Sequence, residues 1–211
     1  RGLHPVVAKT KISQLLSHSG GLTRDGYDAP YWQARRPFLR EKELRMALRE
    51  PPTIEAGTRF KYSNHGFGLI GLIIESVSGE PYCDYVQRVI VKGSKLLETL
   101  ADGPAPTKVP TAQGYTRKIP LGYRVTVPDE KPTHALAPAT GFLSTAADLA
   151  LFFATLDSNS KRSVLSRTSR NELTRIHWED VSAYEKRYYG LGVMLGKTGN
   201  WDWFGHMGAF P

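Results

Sequence analysis

Cysteine is almost absent from this chain: Cys83 is the single one in 211 residues. That count excludes an intramolecular disulfide and any zinc site built on several thiolates. Cys83 follows Pro81-Tyr82 in a predicted helix, where a buried, inert thiol is the ordinary reading. Long apolar runs are also missing, and the longest, Gly66 to Ile74, is far too short to span a bilayer, so no transmembrane segment is implied. His4, His18, His65, His134 and His177 show no metal-ligand spacing such as His-Glu-x-x-His, which leaves no basis for a metal. There is no internal repeat and no low-complexity tract. No clustered basic run or nucleic-acid motif appears, so no nucleic-acid partner is implied. The chain opens on Arg1 without an export-signal pattern and stops at Pro211 directly after an expected strand. Both ends read as cut, and the compartment stays open.

What is present is an ordinary globular composition. With 40% hydrophobic and 23% charged residues, the chain can bury a sizeable core and form one domain. Lys and Arg number 28 against 20 Asp and Glu, a formal charge of +8. The basic residues are scattered, as in Arg35-Arg36, Arg45, Lys92, Lys95, Arg117-Lys118 and Lys161-Arg162. A solvated basic surface explains them, and a field that draws in anionic substrates or membranes is the alternative.

Periodicity predicts a short helical turn over Ile12–Leu16, then a charged amphipathic helix from Glu41 to Leu48 that Pro51-Pro52 stops. A strongly apolar helix runs to Val77 and closes at Gly79, followed by a helix from Pro81 to Ile90. Residues 101–138 read as an irregular crossing with short strands at Tyr115–Lys118 and Tyr123–Val127. Thr145-Ala146-Ala147-Asp148 is a capping-box-like start for a helix to Leu156, and a further helix is expected over Thr168–His177. Two strands, Tyr188–Leu195 and Trp201–Phe210, are expected around a Gly196–Asn200 turn. Helices first and strands last predict an α/β (α+β) fold with an antiparallel sheet. Residues 1–211 are read as part of one domain, mostly helical with an irregular crossing to about 178, then a strand hairpin over about 188–211.

The stretch richest in chemistry is Phe60-Lys61-Tyr62-Ser63-Asn64-His65-Gly66-Phe67-Gly68, at the entry of the apolar helix. It sets a Tyr and an Asn two residues apart on a loop, where both can face a cleft. Free tyrosine titrates near pH 10, so Tyr62 becomes a base only where cations depress it. Beside a Lys and a Ser hydroxyl, such a phenol can shuttle the serine proton. The Asn64 amide suits holding a substrate amide or orienting a Lys. A bare Tyr-x-Asn is also an ordinary structural turn. His65 either lines the cleft or caps the helix.

With Leu15-Leu16-Ser17-His18-Ser19-Gly20-Gly21-Leu22 upstream and Gly205-His206-Met207-Gly208 at the end, this pattern resembles the serine β-lactamase-like family. The nearest group is the class C β-lactamases, with their penicillin-binding-protein-like esterase and D-aminopeptidase relatives. The resemblance runs from Ile12 to Pro211 and implies a β-lactamase/transpeptidase-like fold, a helical lobe plus an antiparallel sheet, incomplete in this chain. Tyr62 and Asn64 take the catalytic places. His206 takes the basic site of the cleft strand, Gly208 the point where backbone meets the acyl group, and Ala209 one oxyanion N–H. An ordinary His on a sheet edge is the other reading of His206. Leu15–Leu22 resembles the His-x-x-Gly-Leu loop below the cleft, with a structural role, and Gly141–Leu149 the helix entry beneath the site. Lys197-Thr198-Gly199 spells a triad of many β-lactamases but reads here as a hairpin turn.

The family's nucleophile is a Ser-x-x-Lys on an apolar helix, one turn apart on one face. Only Ser158-Asn159-Ser160-Lys161 matches, in a polar stretch after a helix and after the Tyr motif. It is read as non-catalytic, and the true motif is expected before Arg1. The resemblance thus implies a serine hydrolase acting through an acyl-enzyme on a small-molecule ester, amide or β-lactam carbonyl, with no cofactor and no metal. The chain by itself is expected to be inactive. The competing class is a non-catalytic relative that keeps the cleft for binding or scaffolding.

Overall fold

The computed structural model describes residues 2–25, 38–106, 109–115, 118, 122–126, 132–181 and 186–208. Seven α-helices are found among them: α1 (Ile12–Leu16), α2 (Glu41–Ala47), α3 (Asn64–Ser78), α4 (Tyr82–Val86), α5 (Ala137–Thr140), α6 (Ala146–Leu156) and α7 (Arg167–Leu173). A four-stranded antiparallel sheet follows in the order β1 (Trp178–Glu179), β2 (Tyr188–Tyr189), β3 (Met194–Thr198) and β4 (Trp201–Gly205). Helices precede strands, as the sequence predicts.

The central element is α3. Ser63 caps it, its hydroxyl accepting from the Gly66 N–H at 2.9 Å, and Gly79 ends it in the left-handed region at φ 75°. Its apolar side packs Leu69 into a core with Val7, Leu15, Leu22, Leu44 and Leu48. The opposite side lies against α5 so closely that a Cβ on Gly71 would sit 2.4 Å from Pro138 Cγ. Helix α3 therefore sits between α1 and α5 with its N-terminus held firmly in place. Thr145 caps α6 as expected, its hydroxyl accepting from the Asp148 N–H at 3.3 Å. The Asp148 carboxylate instead accepts from Glu98 N–H (2.8 Å) and the Thr99 hydroxyl (2.7 Å).

Three expectations change. The crossing is not wholly irregular, because Thr133 precedes a 3₁₀ turn over His134–Leu136 that runs into α5. Within it Tyr115 bridges Thr126, whereas 116–117, 119–121 and 127 lie outside the described residues. Helix α7 ends at Leu173, short of His177, because the His177 N–H is taken by the Tyr189 carbonyl (2.9 Å) where the sheet begins.

The third change concerns the sheet. The expected strand Tyr188–Leu195 is two strands, β2 and β3, folded back on each other with Tyr189 opposite Met194. Gly190 N–H bonds Val193 O (2.8 Å), and Gly192 takes φ 76°, a conformation that only glycine adopts freely. The turn is also tied outward, Leu191 N–H to Leu173 O and Gly192 N–H to Leu16 O, both at 2.9 Å. These tertiary bonds override the strand pattern. The next hairpin is tighter than expected: Thr198 pairs with Trp201, so Gly199 and Asn200 alone make the turn, with Gly199 at φ 58°. Lys197 and Thr198 are paired residues at the end of β3, so of the triad expected in the turn only Gly199 lies there. Strand β4 stops at Gly205, opposite Met194, the first residue of β3. His206 and Gly208 therefore follow the strand instead of lying within it.

Candidate active site

The site is built from the end of α1. That helix closes with the Ser19 N–H bonded to Gln14 O (2.7 Å) and the His18 N–H to Leu15 O (3.2 Å). This is a Schellman ending, whose left-handed position is usually glycine. Here it is His18, at φ 53°. A side chain in that conformation carries a local cost of order 1–3 kcal/mol, and its placement offsets that cost with contacts. His18 O accepts from Lys61 N–H at 2.6 Å, and His18 Nδ1 accepts from Ser63 N–H at 3.1 Å. The imidazole, 2% exposed, lies 4.0 Å from the Tyr62 ring between centroids, 4.8 Å from Tyr189 and 5.0 Å from Phe67. Burial first, then the His206 and Arg24 charges, hold this imidazole down to about 3 against an opposing pull from Asp180. It is neutral at physiological pH, as a ring accepting at Nδ1 must be.

Tyr62 lies on the loop ahead of α3, and Asn64 is the first residue of that helix. The guanidinium of Arg24 sits 5.0 Å over the Tyr62 ring. Its Nε pairs with Asp25 at 3.2 Å, and the buried Asp25 carboxylate accepts from Asn64 Nδ2 at 2.5 Å. Arg24 O also accepts from Asn64 N–H (3.0 Å). Burial pushes the Tyr62 phenol above its ordinary value, Arg24 pulls it down, and Asp25 pushes it up. The neutral phenol is therefore the resting form.

Across from Tyr62 stands His206, with ring centroids 6.1 Å apart. His206 Nδ1 faces Met207 O at 2.7 Å and Nε2 faces the Tyr189 hydroxyl at 3.0 Å. Burial lowers its pKa, the Met207 carbonyl raises it, and Arg187 lowers it. A Cβ on Gly208 would meet nothing within 4 Å, so packing among the described residues does not demand glycine there. Ala209 and the aromatic segment Tyr27–Trp32 lie outside the described residues.

The structure thus sets Tyr62 opposite His206, whereas Asn64 is buried beside them and joined to Tyr62 only through Asp25 and Arg24. Ser158 to Lys161 is elsewhere: it forms a polar turn after α6 in which Ser158 O and Ser160 O accept from Arg170 Nη2 (3.2 and 3.0 Å). His65 is 2% exposed in the first turn of α3, so it neither caps the helix nor lines open space. Cys83 is half-buried, with its thiol pushed up to about 11 by burial and by Asp102, Asp84 and Glu75. Sequence reasoning missed Arg24, Asp25 and Tyr189. Among the described residues no three His, Cys, Asp or Glu side chains gather as a metal site, and no helix is long and apolar enough to cross a membrane.

Comparison with known proteins places the chain in a family. The Beta-lactamase family profile matches residues 5–211, and the chain belongs to that family. It is 34% identical over 92 residues to a putative D-alanyl-D-alanine carboxypeptidase of Escherichia coli strain K12, covering 43% of this chain and 21% of that protein. Among solved structures it resembles a D-stereospecific amidohydrolase from Streptomyces sp., at 26% identity and TM-score 0.75, over 94% of this chain and 60% of that one. A D-amino acid amidase from Ochrobactrum anthropi SV3 superposes with TM-score 0.79 at 23% identity, over 98% and 59% of the two chains, a likeness of fold alone. The chain spans 21% of the length of the first curated relative it matches. Its fold is the β-lactamase/transpeptidase-like one, helices plus an antiparallel sheet.

Proposed function

We propose that the protein is a serine hydrolase that acts through an acyl-enzyme on an ester, amide or lactam carbonyl of a small molecule. One observation carries this reading: Tyr62 and His206 face each other at 6.1 Å in a chain of the Beta-lactamase family. Residues 1–211 are taken as part of one catalytic domain. The nucleophile is a Ser-x-x-Lys preceding Arg1 in the full-length protein. Its hydroxyl attacks the carbonyl carbon while its proton passes to the Lys–Tyr62 pair. The Lys adds a second cation to Arg24 and makes the buried phenol a usable base. The oxyanion is held by the Ala209 N–H and the nucleophile's own N–H. Collapse expels the amine or alcohol, which takes the proton back from Tyr62, and water then releases the acid. Asn64 orients the substrate amide or the Lys through its Oδ1, since Nδ2 already donates to Asp25. His206 and Gly208 border the acyl group.

His206-Met207 stands where relatives grip a carboxylate with Lys-Thr, which favours esters and peptide-like amides over β-lactam acids. In the full-length protein, Tyr62→Phe is expected to lower kcat for a short p-nitrophenyl ester by about 100-fold or more, the scale of a positioned acid–base group, with KM little changed. An unchanged kcat would overturn the role of Tyr62. The wild type should turn over that ester faster than a cephalosporin, and faster lactam hydrolysis would sink the ester preference. A non-catalytic binding or scaffold role is the second reading, favoured by the engagement of Asn64 Nδ2 with Asp25. Failure of an activated ester or penicillin to leave a covalent acyl mass on the protein would support it.

A further inference from the structure

Tyr189 lies on β2, the strand between β1 and β3, with Trp178 opposite on one side and Met194 on the other. Its carbonyl accepts from His177 N–H, and its ring, 1% exposed, is packed 4.8 Å from His18 and 5.3 Å from Phe60 between centroids. Backbone and ring are therefore fixed from several directions. Its hydroxyl emerges at one place, 3.0 Å from His206 Nε2. On the far side of the imidazole, Nδ1 is 2.7 Å from Met207 O. A carbonyl only accepts, so Nδ1 carries the hydrogen; burial disfavours the imidazolium, and in the neutral ring Nε2 presents its lone pair to the phenol. The opposite tautomer would set two lone pairs against each other across 2.7 Å.

We propose that Tyr189 is the positioning residue of this site: its buried hydroxyl donates to His206 Nε2 and fixes that ring at the cleft as the neutral Nδ1–H tautomer. The consequence for specificity rests on the hydrolase reading above. Both nitrogens of His206 are committed to protein partners, so the ring offers a substrate a neutral wall and no free N–H. A Lys in that place would present a cation to a substrate carboxylate, and His206 held by Tyr189 does not. The substrate class that fits is an ester or amide whose acyl side is uncharged where it meets residue 206. Tyr189 acts through His206, not on the substrate.

The test uses the full-length protein with ¹⁵N-labelled histidine. In the wild type, the His206 ring signals should report the Nδ1–H tautomer; an Nε2–H tautomer would overturn the proposal without any variant. Tyr189→Phe keeps the ring and removes the donor, so the His206 signals should move toward a tautomer mixture. Unchanged signals would overturn it. Tyr188→Phe, one residue away on the same strand, should match the wild type, and an equal shift there would remove the assignment to the Tyr189 hydroxyl. In kinetics, Tyr189→Phe should cost a neutral ester about threefold to tenfold in kcat/KM, the worth of one hydrogen bond. The ratio of carboxylate-bearing to neutral ester turnover should rise, a change that loosened packing alone would not give. If the wild type hydrolyses no ester at all, the hydrolase reading fails while the tautomer measurement still decides the role of Tyr189.

Discussion

His18 concentrates several demands in one side chain. It ends α1 in a left-handed conformation, accepts from Ser63 N–H and lies under the Tyr62 ring. Accepting from Ser63 N–H requires the ring to be neutral. The unfolded chain binds a proton at His18 near pH 6.5, whereas the folded chain resists it down to about 3. A depressed folded value for a histidine means that stability is full above the unfolded pKa and is lost as pH falls from about 6.5 toward 3, by up to about 1.4 kcal/mol per unit. His65, also lowered chiefly by its burial and partly restored by Asp25, acts in the same sense. Urea unfolding at pH 7 and pH 5 should therefore differ by about 2 kcal/mol, and His18→Asn should reduce that difference. Equal stabilities at the two pH values would show that His18 takes up its proton as readily folded as unfolded. The residues that surround this imidazole were only partly legible beforehand. Tyr62 and His206 stood out because each belongs to a local motif. Arg24, Asp25 and Tyr189 did not, because a partner that arrives through space leaves no spacing to read.

Helix α3 is the element on which the site depends. Ser63 serves it twice, its hydroxyl accepting from Gly66 N–H and donating to Thr23 O at 2.6 Å. Ser63→Ala removes both bonds and should lower stability by about 1–2 kcal/mol, the upper range for a lost N-cap. A thermal melt checks this, and an unchanged midpoint would mean that the cap contributes nothing. This element was legible from both ends, since Ser63 and Gly79 are local signals. The β2–β3 turn was not. Tyr188 to Leu195 has the composition of one strand, and the bonds that fold it back come from Leu16 and Leu173, far away in sequence. The end of β4 at Gly205 was equally hidden, because it depends on where β3 begins.

For the molecule as a whole, the order of helices and strands followed from periodicity, since burial of apolar faces leaves a regular trace. How the parts are joined left none. The last carbonyl of α1 is met by Gly192 of the sheet turn, and the residue two further on, His18, holds the loop that carries Tyr62. Five residues are too few for a helix to persist by itself. Helix α1 is therefore expected to hold only while both the sheet turn and the α3 loop are docked on it. The amides of Lys61 and Ser63 and that of Gly192, more than a hundred residues further along, should then exchange with deuterium at one common rate, as a single opening event. Staggered rates would show that the two junctions open separately. The cleft on this account is either whole or gone, and a protein loosened anywhere along this seam would lose function in proportion to the molecules opened, not by a graded weakening of each one.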